Sequence, residues 1–152
     1  MTVRPLRQED VALLAPALAE LPLMTRYGRS AARIAEDIAA ALARGDGLLA
    51  WEVAGAARGL AWFLREGTFG MGGYLRLIAL AEGAQGGGAG AALLAAFEAE
   101  VARASRHAFL LVSDFNTQAQ RFYERHGYAR VGALPGLVLS EVAELVYWKR
   151  LR

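Results

Sequence analysis

The sequence predicts one α/β domain built on a mixed β-sheet with helices on both faces. Strand-like and helix-like segments follow each other in the order β-α-α-β-β-β-α-β-α-β-β, a pattern that places a sheet between layers of helices. The hydrophobic fraction of 55% supports a globular core, and 152 residues correspond to one domain. No repeat, linker or low-complexity tail divides the chain, so residues 1–152 are expected to form that single domain.

The N-terminal segment predicts an edge strand followed by a helix. Residues 2–6 form the strand, and Pro5 restricts it to a sheet edge because proline has no N–H to donate. Asp10 is the expected N-cap of the first helix. Pro16 falls inside the helical pattern and is expected to kink or shorten the helix. The apolar face of this helix consists of Val11, Leu14 and Leu18.

A second helix follows a break in the pattern. Residues 21–28 contain the break, and Ser30 is the expected N-cap of the helix beyond it. Gly45 is the expected C-terminal stop, since glycine adopts the left-handed conformation at helix ends. The apolar positions of this helix repeat at helical spacing, at Ile34, Ile38 and Leu42.

The middle of the chain predicts a β-hairpin and a third strand. Residues 48–53 and 60–66 are the hairpin strands, and residues 54–59 form the turn between them. Residues 66–73 contain four glycines and are expected to form a flexible connection. Residues 74–80 are the following strand, and it leads directly into a glycine-rich loop.

The remainder of the chain alternates helices and strands. A third helix is expected to begin near Ala91. Residues 108–113 are apolar throughout, which is typical of a buried central strand. Residues 117–125 predict a short helix that ends at Gly127. The apolar face of the third helix comprises Leu94, Phe97 and Val101, and the last two strands cover residues 128–134 and 145–149.

Composition excludes several classes of function. The chain has no cysteine and only two histidines, so we expect neither disulfides nor a thiol nucleophile nor a metal site. The formal net charge is +2 and the arginines are scattered among acidic residues, which does not indicate nucleic-acid binding. Charged residues interrupt the N-terminus, and no apolar run reaches the roughly 20 residues of a membrane span. The expectation is a cytoplasmic protein without membrane contact.

The most informative segment is the loop Gln85-Gly-Gly-Gly-Ala-Gly90, which joins a strand to a helix. A helix N-terminus carries unpaired N–H groups and a partial positive charge, and glycines let a phosphorylated ligand approach them closely. The order of strand, loop and helix therefore predicts a site for a diphosphate-bearing molecule. By itself such a loop also fits an ordinary turn in a glycine-rich chain.

Further motifs follow the loop in a fixed order. Asn116 lies just beyond the next strand, and the segment Phe122-Tyr-Glu-Arg-His-Gly-Tyr128 follows on the next helix. With Gln85-x-x-Gly88-x-Gly90, these motifs resemble the GNAT superfamily of acyl-CoA-dependent N-acetyltransferases, and the resemblance covers nearly the whole domain. It implies a mostly antiparallel seven-stranded mixed sheet with about four flanking helices and two central parallel strands that splay apart.

The resemblance also implies roles for particular residues, with acetyl-CoA as co-substrate. The loop amides would bind the pyrophosphate, the main chain of the preceding strand would pair with the pantetheine arm, and Asn116 would bond that arm. Tyr123 would be the catalytic general acid near the thioester sulfur. Many relatives carry Pro-Glu before the loop, where this chain has Glu82-Gly83. The implied cofactor-binding residues are Ile78, Ala79, Leu80, Gln85, Gly86, Gly87, Gly88, Ala89, Gly90, Ala91, Asn116 and Tyr123.

The resemblance implies transfer of an acetyl group to a primary amine by direct attack on the thioester. The acceptor, a small molecule or a peptide, is expected to enter opposite the cofactor, beside Arg26, Tyr27, Trp62 and Arg65. Paired arginines would suit an acceptor that carries a carboxylate. The sequence names no general base beyond candidates by rough location, and it leaves the oligomeric state open, a homodimer included. Those candidates are Glu52, Glu66 and Glu82.

Other interpretations of the same residues remain open. Asn116 alone is typical of a helix N-cap, and Tyr123 alone is typical of a core aromatic. The spacing Gly86-x-Gly88-x-x-Ala91, with Asp114 at the end of the next strand, also matches a nicotinamide-dinucleotide fingerprint. A third interpretation is a non-catalytic domain of the same fold that binds acetyl-CoA as a sensor or partner module.

Overall fold

The computed structural model describes residues Met1–Arg152 and contains seven strands and five α-helices. The strands are β1 (Thr2–Pro5), β2 (Gly47–Val53), β3 (Ala56–Thr68), β4 (Gly72–Leu80), β5 (His107–Ser113), β6 (Ala129–Pro135) and β7 (Ala143–Arg150). The helices are α1 (Val11–Ala19), α2 (Pro22–Arg26), α3 (Ala31–Arg44), α4 (Ala89–Ala102) and α5 (Thr117–Arg125).

All strands join one mixed sheet in the order β1-β2-β3-β4-β5-β7-β6. Only β4 and β5 run parallel, and every other neighbouring pair is antiparallel. The predicted seven-stranded, mostly antiparallel sheet is therefore confirmed, as is the edge position of the strand that contains Pro5. None of the helices combines the length and the apolar character that crossing a membrane requires.

Helices cover both faces of the sheet, as the element order predicts. Helices α1 and α3 pack on one face, and their predicted apolar positions supply its core. Helix α4 packs on the other face, where Phe97 is fully buried against Phe63 at a ring-centroid distance of 5.1 Å. The core residues of the α1 and α3 face include Val11, Leu14, Leu18, Ile34, Ile38, Leu48, Leu60 and Trp62.

Strands β4 and β5 stay together for only a short distance. Residues 73–75 pair with residues 108–110, and no pairing continues beyond them. At that point β4 carries a bulge, because Trp62 of β3 pairs with Leu77 while Phe63 pairs with Leu75, which leaves Arg76 unmatched. A bulge bends its strand and increases the local twist. The C-terminal half of β4 therefore diverges from β5 and opens a gap in the centre of the sheet.

The close contact before the gap depends on a glycine. A Cβ atom on Gly73 would lie 2.3 Å from Val101 of α4, a distance that no side chain could occupy without displacing its neighbours. Glycine thus lets β4 lie directly beneath α4 at the start of the strand. The strand pair is anchored there and separates further along.

Two local predictions differ from the structure around the helices α1 and α2. Asp10 occupies the predicted N-cap position of α1, but its side chain makes no capping bond: its carboxylate accepts the backbone N–H of Arg7 at 2.7 Å and pairs with Arg4 at 2.8 Å. The predicted break at residues 21–28 contains the short helix α2, because Pro22 occupies its first position, where proline favours a helix start. Helix α1 continues past Pro16 and ends at Ala19.

The predicted flexible connection at residues 66–73 is wrong, because most of it belongs to strands. Strand β3 extends to Thr68 and β4 begins at Gly72. The turn between them is closed by a 2.9 Å bond from the Met71 N–H to the Thr68 carbonyl. Both central residues, Phe69 and Gly70, have positive φ, as a type I′ hairpin turn requires. Phenylalanine rarely adopts that conformation, so the sequence gives little sign of this turn.

Asp10→Asn should lower the free energy of unfolding by about 2 kcal/mol at pH 7, because the amide loses charged hydrogen bonds to Arg4. Those bonds hold the pKa of the Asp10 carboxyl below its ordinary value. A lowered folded-state pKa gives stability that is present above the unfolded-state pKa, about 3.9, and that is lost as the pH falls through the folded-state value. Urea unfolding should therefore show a difference between variant and wild type that narrows below about pH 4.

The matched control for this prediction is Glu9→Gln. The Glu9 side chain is 75% exposed and pairs with Arg7 at 3.6 Å, so its loss should change stability by less than about 0.5 kcal/mol. A destabilisation by Asp10→Asn that stays constant from pH 7 down to the acid limit of folding would contradict the assigned role of the Arg4 pair.

Candidate functional site

A cavity of about 430 Å³ lies in the gap between the separated ends of β4 and β5. Its wall is formed by residues of α2, α3, β3, β4, β5 and α5 and of the segment before β7. Of its 23 lining residues, 17 are hydrophobic, so the few polar groups among them determine what can bind.

The glycine loop ends beside this gap and presents its backbone. Gly88 is the N-cap of α4 in the left-handed conformation, with φ of 84°, and Gly86 and Gly87 also have positive φ. A Cβ atom on any of the three would meet no atom of the chain within 4 Å and would project into open space. The N–H groups of Gln85, Gly86, Gly87, Gly88, Gly90 and Ala91 have no acceptor within the chain.

The loop therefore has the donors that an anionic ligand needs. Gly90 lies beside Phe122 of α5, because a Cβ there would be 3.4 Å from the Phe122 ring. The Gln85 side chain donates to the Leu80 carbonyl at 3.2 Å and ties the loop back to the end of β4. Helix α4 begins at Ala89 rather than near Ala91, so the exposed amides belong to both the loop and its first turn.

The main chain of β4 is open along the gap. The Ala81 N–H donates to the Arg58 carbonyl of the β3 segment at 2.9 Å, which makes residues 81 and 58 a hydrogen-bonded antiparallel pair. Bonding alternates along such a ladder, so Ala79 also faces β3, whereas Ile78 and Leu80 direct their N–H and carbonyl groups toward β5. Two of the three predicted main-chain contacts thus face the gap, and the Ala79 backbone does not.

Tyr123 is placed in the cavity wall by helix α5. Its ring packs edge-on against Phe122 and Tyr128, at centroid distances of 5.1 and 5.8 Å. The hydroxyl makes no hydrogen bond with the rest of the chain, and burial raises the pKa of the phenol above its ordinary value. The side chain is therefore held protonated in an apolar wall.

Asn116 also lines the cavity, and the structure confirms its interpretation as a helix N-cap. Its side-chain oxygen accepts the Ala119 N–H at 3.1 Å, so it is the N-cap of α5. Its amide nitrogen makes no hydrogen bond within the chain and remains available to a ligand. The capping bond fixes the orientation of that amide.

The predicted acceptor residues separate into two groups. Tyr27 and Trp62 line the cavity, and the Trp62 indole N–H donates to Asp46 at 2.9 Å. Arg26 lies outside the cavity wall, with its guanidinium 3.6 Å from the centroid of the Phe115 ring. Arg65 also lies outside, and it donates to the Gly45 carbonyl. The expectation that paired arginines line the cleft is therefore not met by this pair.

None of the three glutamates considered as bases lines the cavity. Glu52 of β2 forms an ion pair with Arg4 of β1, and Glu66 and Glu82 are exposed. The carboxylate that does line the cavity is Glu144, at the start of β7 opposite Ser113. The sequence did not indicate Glu144, because the last strand was expected to begin at residue 145. An acidic residue directly before an apolar strand was the available signal.

Glu144 is held by two hydroxyl groups. The Tyr27 hydroxyl donates to Glu144 Oε2 at 2.6 Å, and the Ser113 hydroxyl lies 3.3 Å from both carboxylate oxygens. The Tyr27 and Ser113 oxygens are 2.5 Å apart. Burial, and then the hydrogen bond to Glu144, raise the pKa of the Tyr27 phenol. This cluster joins α2, β5 and β7 at one end of the cavity.

Comparison with known proteins identifies the family to which this arrangement belongs. The model of the acetyltransferase (GNAT) family matches residues 16–128, which is most of the chain. The chain belongs to the GNAT acetyltransferase family. Acetyl-CoA, the co-substrate predicted from the sequence, is the acyl donor of this family. Comparison with the curated proteins gives no match.

Solved structures of GNAT proteins share the fold. A GNAT-family protein from Desulfovibrio desulfuricans is similar with a TM-score of 0.84 at 20% identity, over 99% of each chain. An aminoglycoside 6′-N-acetyltransferase in complex with coenzyme A gives 0.81 at 16% identity, over 100% of this chain and 98% of the other. A Salmonella typhimurium protein with its cofactor acetyl-CoA gives 0.77 at 17%, over 100% and 94%.

The residues present fit coenzyme A. Unpaired loop amides and the positive end of α4 suit a diphosphate. The open edge of β4, where the Ile78 N–H and carbonyl and the Leu80 N–H have no partner, suits an extended amide-bearing arm. The nicotinamide-dinucleotide alternative does not fit, because that fold requires a doubly wound parallel sheet and this sheet has a single parallel pair.

Gly88→Val should weaken the binding of coenzyme A by about 100-fold or more. The added side chain occupies the open space in front of the loop and blocks charged hydrogen bonds, of which two are worth about 3 kcal/mol. Isothermal calorimetry with coenzyme A measures the change. Because valine at a positive φ also costs about 1–2 kcal/mol of stability, the variant needs a control with the same strain.

Gly70→Val is that control. Gly70 also has positive φ and an unobstructed Cβ direction, but it lies in the β3–β4 turn at the other end of β4. The two variants should lose similar stability, and only Gly88→Val should lose coenzyme A affinity. Equal affinities in the two variants would show that the loop backbone does not bind the ligand.

Proposed function

We propose that this chain is an N-acetyltransferase that transfers the acetyl group of acetyl-CoA to a primary amine by direct attack on the thioester. One observation carries the proposal: the open main chain of β4 at Ile78, the free Asn116 amide and the unbonded Tyr123 hydroxyl line one cavity between β4 and β5, and the loop with its unpaired amides follows directly at the end of β4. The acceptor end of the cavity lies opposite the loop, where Tyr27 and Trp62 contribute to the wall.

The chain holds the donor mainly through its backbone. The unpaired amides of residues 85–88, 90 and 91 bind the pyrophosphate, and the Ile78 carbonyl and the Leu80 N–H bond the pantetheine arm. The free Asn116 amide donates to the same arm. Acetyl-CoA supplies an acyl group already activated as a thioester. The protein therefore needs to position this group, stabilise charge on its oxygen and move protons.

Two groups of the chain serve the transfer itself. The N–H of Ile78 faces the gap within the cavity wall and is placed to stabilise negative charge that develops on the acyl oxygen. Tyr123 donates its hydroxyl proton to the departing sulfur. Burial keeps the phenol protonated, and the same apolar surroundings raise the proton affinity of a thiolate beside it.

Tyr123→Phe should lower kcat by about 100-fold or more, the usual range for the loss of a general acid, and should leave acetyl-CoA affinity within a few-fold of wild type. The phenol has no hydrogen bond to lose within the chain, so stability should change little. Tyr147→Phe is the control, because Tyr147 is 1% exposed, bonds Glu124 and lies outside the cavity. Wild-type turnover in the Tyr123 variant would remove the assigned acid role.

Binding and turnover together separate the proposal from its alternatives. Acetyl-CoA at 100 times its dissociation constant should add about 2.7 kcal/mol to the free energy of unfolding, and NADH should add nothing. Release of free thiol from acetyl-CoA, followed over a panel of primary amines, should identify at least one acceptor. Stabilisation without turnover of any amine would favour the sensor interpretation, and stabilisation by NADH alone would contradict the acyl-CoA site.

A further inference from the structure

Glu144 is a buried carboxylate without a positive partner. Only 7% of the residue is exposed, and neither lysine nor arginine forms an ion pair with it. Removing an ionised carboxylate from water costs several kcal/mol unless a charge or strong hydrogen bonds compensate it. Two hydroxyl groups compensate it only in part. The position of Glu144 in the cavity wall suggests that the missing positive charge comes from a ligand.

The hydrogen bonds of Glu144 leave one oxygen available. Oε2 accepts the short bond from Tyr27 at 2.6 Å. Oε1 receives only the longer contact from Ser113 at 3.3 Å. An ionised carboxylate has about four lone-pair sites, so Oε1 can accept further N–H donors. Tyr27 and Ser113 thus hold the carboxylate in place without saturating it.

The other charged groups of the cavity do not compete for this role. Arg29 and Asp37 pair with each other. Arg76 stacks its guanidinium over the Trp62 ring, 4.3 Å from the centroid. The Tyr74 phenol lies near Arg76 and Glu144. Burial raises the pKa of this phenol, so it stays neutral at physiological pH. Glu144 is therefore the one charged group of the cavity wall that lacks either an ion pair or a stacking partner.

Most of the cavity wall to which Glu144 belongs is apolar. Leu23 and Met24 of α2, Ile34 and Ile38 of α3, and Leu137 and Val138 before β7 line the same cavity. A ligand that brings a single ammonium group to Glu144 would place the rest of its body against these side chains. A polycation would bring further charges against apolar walls and toward Arg29 and Arg76, which disfavours it.

We propose that Glu144, positioned by Tyr27 and Ser113, receives the ammonium group of the acceptor and accepts its proton, and that the acceptor is a primary alkylamine with an apolar body. This inference rests on the proposed acetyltransferase function. Glu144 takes the first proton from the ammonium and passes it to solvent. The amine nitrogen then bonds to the acyl carbon while the carbon–sulfur bond breaks. The nitrogen loses its second proton, which replaces the one that Tyr123 gives to the sulfur.

The test compares Glu144→Gln with wild type on two probe amines, phenethylamine and aniline. Phenethylamine is protonated at neutral pH, whereas aniline is a neutral amine that needs no deprotonation before attack. Glu144→Gln should lower kcat/KM for phenethylamine by about 100-fold or more, and for aniline by less than about 10-fold.

Matched variants separate this role from a structural one. Glu141→Gln removes an exposed glutamate three residues earlier and should leave both kcat/KM values unchanged. Tyr27→Phe keeps the carboxylate but removes its short hydrogen bond, so it should give a loss for phenethylamine that is smaller than that of Glu144→Gln. Calorimetry should show wild-type affinity for acetyl-CoA in all three variants, since none of these residues contacts the loop.

Three other outcomes would contradict the inference, and each identifies the step of the argument that fails. Equal losses for both amines in Glu144→Gln would mean that the residue supports the fold and takes no proton. Wild-type protein that binds acetyl-CoA but acetylates neither amine would reject the alkylamine class while the cofactor site stands. Wild-type protein that does not bind acetyl-CoA would remove the proposed function first, and this inference with it.

Discussion

The divergence of β4 from β5 is the constraint on which the rest of the site depends. Parallel neighbours in a sheet normally satisfy each other's backbone groups, and here they do so only over residues 73–75 and 108–110. Beyond that, the bulge at Arg76 turns β4 away and leaves its edge open. An open edge in the middle of a sheet is costly in a dry core, so the gap is a place for a ligand that can complete the ladder.

The elements around the gap contribute different kinds of chemistry. The loop before α4 and the open edge of β4 contribute backbone groups, which many sequences can provide. Three solved GNAT structures accordingly share the fold at 20% identity or less. Side-chain chemistry is concentrated at two points. Tyr123 lies on α5, and Glu144 lies with Tyr27 and Ser113 where α2, β5 and β7 meet. Differences between acceptors would be expected at the second point, because its residues come from separate elements.

The sequence predicted those features of the structure that neighbouring residues in the chain determine. Helical spacing located the buried faces of α1 and α3, and Ser30 and Asn116 were recognisable as caps from their position before a helix. The glycine loop was recognisable because strand, glycines and helix are contiguous. Its conformation, with positive φ at Gly86, Gly87 and Gly88, is one that glycine adopts readily.

What the sequence did not predict depends on tertiary contacts. Asp10 was expected to cap a helix, but Arg4 and the Arg7 N–H engage its carboxylate instead. The importance of Glu144 becomes visible only when β7 is paired with β5, which brings it opposite Ser113 and beneath Tyr27. The bulge at Arg76 has no glycine or proline to mark it.

The most direct measurement of the central claim is amide hydrogen exchange by NMR, with and without saturating coenzyme A. Bound coenzyme A should slow exchange at the unpaired amides of residues 85–88, 90 and 91 and at Ile78 and Leu80, while the amides of α3 exchange as before. Protection confined to other strands or helices, or no protection at saturation, would show that the gap between β4 and β5 is not the coenzyme site.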